Sequence, residues 1–86
     1  MEKQKELKPT AKIIFASALL KKCFEKSGTA QVPKVMFEQN EKECKENDIK
    51  TPQALTSTCA LFKRYGLATP QKITYNEKIV TAYTPN

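Results

Sequence analysis

The stretch TPQALTSTCALFKRYGLA, residues 51–68, carries the start and stop signals of a helix at its two ends. Thr51 is a favourable N-cap, because its hydroxyl can accept a hydrogen bond from a free amide of the first turn. Pro52 suits the first helical position, where no amide hydrogen is needed. Gly66 comes shortly after two cations and is a natural C-terminal stop. These signals predict a helix over residues 51–65.

Helical spacing gives this segment a core side and an outer side. At about 100° per residue, Leu55, Cys59 and Phe62 fall within one narrow arc with Thr58 beside them, and we expect this arc to face the core. The opposite side and its flank are small, polar or basic, and comprise Gln53, Thr56, Ser57, Ala60, Lys63 and Arg64. No long apolar side chain stands at the centre of that side, so another molecule could approach it closely.

A longer helix is predicted upstream, over TAKIIFASALLKKCFEKSG, residues 10–28. Apolar residues cover nearly its whole circumference, whereas a surface helix of a monomer usually has one apolar stripe. The first stripe is formed by Ile13, Ala16, Ser17, Leu20, Cys23 and Phe24, and the second by Ile14, Phe15, Ala18 and Leu19. Either later elements cover the second stripe, or it forms the interface of a homodimer; the sequence leaves both alternatives open.

The remaining segments predict a short strand, one more helix and a β-hairpin. TAQVP, residues 29–33, is long enough for a single strand-like pairing. PKVMFEQNEKECKEND, residues 33–48, is typical of one helix that begins at Pro33. Apolar residues on both sides of the turn NEK predict a hairpin over residues 68–84, in which Pro70 is confined to an edge or to the start of a strand.

Size and composition predict one small folded domain at residues 10–86, preceded by a flexible polar segment at residues 1–9. The chain has 86 residues, of which 40% are hydrophobic and only 2 are glycine, which argues against a low-complexity chain. No run approaches the roughly 18 apolar residues that a membrane span needs. Residues 1–12 lack the apolar core of a secretory signal, so we expect a cytoplasmic location.

The chemistry of the side chains argues against an enzyme and against a metal protein. The chain has no His, the commonest general base, and no glycine-rich phosphate loop. Its 3 cysteines, Cys23, Cys44 and Cys59, are too few and too widely spaced for a structural zinc site. We therefore expect buried free thiols, no cofactor, no metal and no catalytic residues.

The chain is basic, with 15 Lys and Arg against 9 Asp and Glu and a net charge of +6. A slight acidic excess occupies residues 34–50, and the basic surplus lies in the segments before and after it. A basic balance is compatible with a nucleic acid or another anionic partner. The segments that flank the acidic middle are therefore the candidate binding surfaces.

The order helix, short strand, helix, helix and two-stranded hairpin resembles the winged helix-turn-helix superfamily of DNA-binding domains. The most specific part of the resemblance is ALTSTCALFKRYGLA, residues 54–68, which is similar to a recognition helix that runs directly into the wing. The similarity covers residues 10–84. It implies an α+β, mainly α fold with three helices followed by a two-stranded β-hairpin wing.

The resemblance further implies a homodimeric transcriptional regulator that binds double-stranded DNA in a sequence-specific way. The third helix, residues 51–65, would lie in the major groove and present Gln53, Thr56, Ser57 and Ala60 to base edges. The wing, residues 68–84, would bring Lys72 and Lys78 to the flanking backbone or the minor groove. Lys63 and Arg64 are phosphate-contact candidates, although cations at the end of a helix also complement its dipole.

A second function stays open, because winged helices also serve as protein-interaction modules. In that alternative, of accessory or anti-repressor type, the apolar face of the upstream helix docks a protein partner. The polar side of residues 51–65 is then a solvated helix face, and Lys72 and Lys78 protect an edge strand from aggregation. The acidic middle of the chain favours this alternative, and the basic flanks favour DNA.

Overall fold

The computed structural model describes residues 9–86, which fold into a small α+β domain of four helices and a two-stranded antiparallel hairpin. The elements in chain order are α1 (Ala11–Ser27), α2 (Pro33–Gln39), α3 (Glu41–Glu46), α4 (Pro52–Cys59), β1 (Ala68–Tyr75) and β2 (Lys78–Pro85). The predicted α+β class and the hairpin are confirmed, with four helices where three were expected. Except for Pro9, the predicted flexible segment 1–9 lies outside the described residues.

Both ends of α1 are fixed by its own sequence. The Thr10 hydroxyl accepts a hydrogen bond from the Ile13 amide at 3.4 Å. Gly28, with a φ of 72°, turns the chain out of the helix, and its amide donates to the Phe24 carbonyl oxygen at 2.6 Å. Residues with side chains rarely adopt this left-handed conformation, so a glycine suits the stop.

Three elements, α4, β2 and α2, pack against α1, so more than one stripe of its circumference is buried. The prediction of a protomer interface is wrong for Leu19, which is only 3% exposed and belongs to the core of its own chain. Phe15 is half-buried against the same core, whereas Ile14 and Ala18 are exposed. The exposed part of the second stripe is therefore much smaller than the sequence suggested.

Residues 33–48 form two helices rather than the single helix predicted, because the chain breaks at Asn40. The backbone there, with φ −135° and ψ 36°, is not helical. The Asn40 side-chain amide donates to the Met36 carbonyl oxygen at 3.0 Å and to the Cys23 sulfur at 3.7 Å. An Asn side chain that bonds a backbone carbonyl competes with the helical ladder, which accounts for the break.

The helix predicted over residues 51–65 is shorter in the structure, since α4 ends at Cys59. The Thr56 and Thr58 hydroxyls each donate at 2.9 Å to the carbonyl oxygen four residues back. Such bonds compete for the acceptors of the helical ladder and bend helices. Beyond α4 the chain continues in tighter turns, in which amides bond to the carbonyl three residues back at Leu61, Phe62 and Gly66.

β1 and β2 pair along their whole length and are joined by a turn of two residues, Asn76 and Glu77. Both turn residues have positive φ, 51° and 63°, as a type I′ turn requires. This turn matches the right-handed twist of paired strands, and it makes Tyr75 and Lys78 the first pair of the ladder. The predicted turn at NEK is thereby confirmed and its register is fixed.

The outer edge of β2 pairs with one residue of the segment between α1 and α2. The Gln31 amide donates to the Tyr83 carbonyl oxygen at 2.9 Å, and the Tyr83 amide donates to that of Gln31 at 2.8 Å. The single strand-like pairing predicted for residues 29–33 is confirmed. The amide and carbonyl of Tyr83 both bond to Gln31 and not to Pro70, the residue opposite Tyr83 in β1. Pro70 has no amide hydrogen, but at this position the hairpin ladder loses no hydrogen bond through it.

The core lies where the four helices and the base of the hairpin meet. Leu55, Cys59 and Phe62 are 0% exposed, so the predicted core arc is confirmed. Phe62 lies in the turns after α4, and its ring packs edge-on against Tyr83 with the ring centroids 5.8 Å apart and the planes at 86°. This contact joins the end of α4 to the hairpin.

All three cysteines are buried free thiols, as predicted. Burial raises the pKa of the Cys59 thiol to about 12, and the nearby Cys44 adds to the effect. Burial also raises the pKa of Cys44, with further contributions from Glu43 and Cys23. Since the thiolate is the reactive form of cysteine, Cys59 and Cys44 are poor nucleophiles near neutral pH.

The raised pKa of Cys59 predicts a loss of stability at alkaline pH. The thiol ionises near its ordinary value of 9.0 when the chain is unfolded, but keeps its proton in the folded state up to about pH 12. The contribution of the protonated Cys59 thiol to the free energy of unfolding is therefore complete below pH 9 and is lost as the pH rises towards 12. Between about pH 8 and 10.5, the free energy of unfolding should fall by about 2 kcal/mol more in the wild type than in Cys59→Ala. Urea unfolding under reducing conditions measures this difference, and parallel pH profiles would contradict it.

Candidate nucleic-acid interface

The outer side of α4 is exposed as the sequence predicted. The Thr51 hydroxyl caps the helix by accepting from the Ala54 amide at 3.1 Å, and Pro52 occupies the first turn. The buried residues of α4 are confined to Leu55, Thr58 and Cys59. The other side exposes Gln53, Thr56, Ser57 and, at the C-cap, Ala60. No side chain on this side is larger than glutamine.

The three polar side chains of this surface differ in their freedom to bind a ligand. The Thr56 hydroxyl donates its hydrogen to the Pro52 carbonyl, so it is left with acceptor capacity only. The side chains of Gln53 and Ser57 make no hydrogen bond to any other residue between 9 and 86. Gln53 and Ser57 are therefore the two residues of α4 whose donors and acceptors are all available. Helical spacing alone does not distinguish Thr56 from Gln53 and Ser57, although hydroxyl bonding to the fourth preceding carbonyl is a known tendency of Thr in helices.

Lys63 and Arg64 lie in the turns that follow α4, and both are exposed. The four ion pairs found among residues 9–86 all lie elsewhere and involve the acidic residues of the middle of the chain: Lys12–Asp48, Lys22–Glu43, Lys45–Glu41 and Lys50–Asp48. The acidic excess is thus partly compensated by lysines of α1, α3 and the loop after α3. Within the described range, neither Lys63 nor Arg64 has a carboxylate within 4.0 Å, and their charge remains available to an anion.

The two hairpin lysines lie on opposite faces of the hairpin. Residues directly opposite each other in an antiparallel pair share a face, and faces alternate along each strand. Lys72 is opposite Thr81, and its ammonium group donates to the Thr81 hydroxyl at 3.1 Å. Lys78 is opposite Tyr75, three positions from Lys72 along β1. The structure therefore does not bring Lys72 and Lys78 together on one flat surface.

The register also shows which face of the hairpin lies on the same side of the domain as α4. Lys72 shares its face with Tyr83, two positions along β2 from Thr81, and Tyr83 contacts Phe62 in the turns after α4. Lys78 shares its face with Tyr75 and Ile73, which border the end of α1 and the start of α2. Lys72 is thus the hairpin cation on the side of α4, and Lys78 is at the tip beside the turn.

Metal-ligand clusters, membrane-spanning helices and unpaired buried polar side-chain atoms are all absent from the described part of the chain. Between residues 9 and 86, no group of three or more His, Cys, Asp and Glu side chains is placed to hold a metal ion. Each helix in this range is too short or too polar to cross a lipid bilayer. Among buried polar side-chain atoms of these residues, none lacks a hydrogen-bond partner.

Comparison with protein family models, with curated proteins and with solved structures found no match for the chain. A functional assignment therefore depends on the side chains and the geometry of the chain itself.

Proposed function

We propose that the protein binds double-stranded DNA in a sequence-specific way as a transcriptional regulator, with α4 in the major groove. The observation that carries the proposal is the outer side of α4, where Gln53 and Ser57 are exposed with all their hydrogen-bonding groups available. A glutamine amide matches the edge of adenine, and a serine hydroxyl can bond to bases or phosphates. Lys63 and Arg64 follow directly and supply charge for the backbone.

The dimensions of α4 are compatible with this role. An α-helix with its side chains is about 10–12 Å across, close to the width of the major groove of B-DNA, and the 8 residues of α4 give it a length of about 12 Å. The small side chains at its centre allow the helix axis to approach the floor of the groove. Ala60 adds a methyl group that could contact a thymine methyl.

The order of the elements supports a winged-helix arrangement. The Gln31 pairing supplies the short strand between the first two helices, α2 to α4 supply the helix-turn-helix, and the hairpin supplies the wing. In this arrangement Lys72, on the α4 side of the hairpin, contacts a phosphate beside the major groove. Lys78 contacts the backbone or the minor groove from the tip of the wing.

Selection of bound sequences from a pool of random duplexes, at about 50 mM salt, tests the proposal. We expect enrichment of a short site and binding of that site at least about tenfold weaker after Gln53→Ala with Ser57→Ala, since each lost base contact costs roughly 1–3 kcal/mol. Binding to unselected duplex should change little, because it depends mainly on cations. Fluorescence anisotropy of labelled duplexes measures both affinities.

Gln39→Ala is the matched control, since Gln39 is an exposed amide on α2, outside the outer side of α4. It should bind the selected site like the wild type. Absence of any bound duplex at about 50 mM salt would overturn the proposal. An unchanged affinity of the double variant for the selected site would overturn the assignment of α4 as the recognition helix.

A second candidate function is a protein-interaction module that docks through α1. One observation favours it: Ile14 is 57% exposed and borders a shallow depression of about 230 Å³ with Ala18 and Leu67. The same surface could pair two copies on a palindromic DNA site, in which case the homodimer belongs to the first candidate. Failure of the duplex selection would leave protein docking as the function that this surface supports.

A further inference from the structure

A groove of about 780 Å³ lies between the end of α1, the start of α2 and one face of the hairpin. Its volume falls within the range of about 300–1,000 Å³ that is usual for small-molecule sites. It lies on the hairpin face opposite Lys72, since Gln71, Ile73 and Tyr75 border it. None of the residues assigned to DNA contact lines it. The groove is therefore a separate candidate site.

The lining of the groove divides into an apolar wall and a cationic rim. Val32, Val35 and Ile73 form the wall, and each is half-buried. Lys22 and Lys26, one helical turn apart at the end of α1, form the rim. Lys22 is engaged by Glu43 at 3.0 Å, whereas Lys26 has no carboxylate within 4.0 Å among residues 9–86. The described residues that border the groove include no Asp or Glu, so the groove favours an anion.

A third feature is a buried amide held in a fixed orientation. Gln31 borders the groove and is only 7% exposed. Its side-chain nitrogen donates to the Ser27 hydroxyl at 2.6 Å and to the Thr29 carbonyl oxygen at 2.7 Å, which uses both of its hydrogens. The side-chain oxygen Oε1 accepts no hydrogen bond from any described residue, and it is not enclosed. A ligand in the groove could therefore donate an N–H or O–H to this oxygen.

We propose that this groove binds a small organic anion, with the acidic group at Lys26, an apolar body against Val32, Val35 and Ile73, and an N–H or O–H donor at Gln31 Oε1. The lining offers a cation, an apolar wall and a hydrogen-bond acceptor, so a ligand that contacts all three needs an acidic group, an apolar body and a hydrogen-bond donor. Phosphate alone would leave the apolar wall unused, and a neutral hydrocarbon would leave Lys26 and Gln31 unpartnered.

Two fluorescent probes separate these contributions. 8-Anilinonaphthalene-1-sulfonate has an acidic group, an aromatic body and an N–H donor, and N-phenyl-1-naphthylamine is its counterpart without the sulfonate. We expect saturable binding of the sulfonate probe at one site per chain. Lys26→Gln should weaken the sulfonate probe about fivefold, the size expected for one exposed charge, and leave the neutral probe unchanged. Ile73→Ala should weaken both probes.

Lys42→Gln and Ile79→Ala are the matched controls. Lys42 is an exposed lysine on α3, and Ile79 is a 75% exposed isoleucine on the hairpin face opposite Ile73. Neither should alter the affinity for either probe, and circular dichroism checks that all four variants are folded. The proposal is overturned if no saturable binding occurs, if Lys26→Gln behaves like Lys42→Gln, or if Ile73→Ala behaves like Ile79→Ala. The test contains no DNA, so its outcome is independent of the proposed function.

Discussion

Phe62→Ala is expected to lower the free energy of unfolding by about 3–5 kcal/mol, the usual cost of removing a buried phenylalanine. A small domain has a total stability of about 5–15 kcal/mol, so this change would remove a large part of it. Phe62 is 0% exposed, and it is the largest fully buried side chain among the described residues. The substitution leaves a cavity in the core and removes the aromatic partner of Tyr83, which attaches the hairpin to the end of α4.

Leu61→Ala is the matched control, because it truncates the neighbouring residue, whose side chain is 36% exposed. We expect it to cost less than about 1 kcal/mol, as is usual for substitutions near the surface. Urea unfolding followed by circular dichroism measures both variants. Equal losses at positions 61 and 62 would contradict the burial pattern of the turns after α4, as would a loss below about 1 kcal/mol at Phe62.

Local signals in the sequence predicted most of the element ends correctly. Thr51 caps α4 and Gly28, with a φ of 72°, ends α1, because capping and left-handed glycines depend on nearby atoms only. The core arc of Leu55, Cys59 and Phe62 was likewise predictable. Its spacing survives the change from α-helix to tighter turns after Cys59, because Phe62 comes three residues after Cys59 and residues three apart lie on one side in both.

The two errors in helix length have a common physical cause in side-chain hydrogen bonds. The helix predicted over residues 33–48 breaks because the Asn40 amide bonds to the Met36 carbonyl and to Cys23 in another helix. The helix predicted over residues 51–65 ends early, where Thr56 and Thr58 bond back to carbonyl oxygens. Periodicity describes which residues are apolar and contains no information on such competing bonds.

In the candidate site, too, the features that depend on local spacing were predicted correctly, and those that depend on contacts between distant segments were not. The exposure of Gln53 and Ser57 followed from helical spacing alone. The separation of Lys72 and Lys78 onto opposite faces depends on a turn of two residues, Asn76 and Glu77, which the sequence located only approximately. Leu19 was misassigned because burial of the second stripe of α1 depends on how α4 and β2 pack against it.

Cations, rather than base contacts, should dominate the affinity for unselected DNA, and this leads to a large expected effect of salt. If Lys63, Arg64, Lys72 and Lys78 each neutralise one phosphate, log affinity should fall with log salt with a slope of about −3.6. Raising the salt from about 50 to 200 mM should then weaken binding about 150-fold. Anisotropy titrations at several salt concentrations measure the slope.

Variants at two of these four cations, Lys63 and Arg64, test whether the positions of the charges determine the slope. Lys63→Gln with Arg64→Gln should make the slope shallower by about 2, because two counterions fewer are released. Lys21→Gln with Lys42→Gln removes the same charge from exposed positions on α1 and α3 and should leave the slope near that of the wild type. Since net charge is equal in the two double variants, a different slope can come only from where the cations lie relative to the DNA. Equal slopes would show that the overall basic charge attracts DNA without a defined interface at α4.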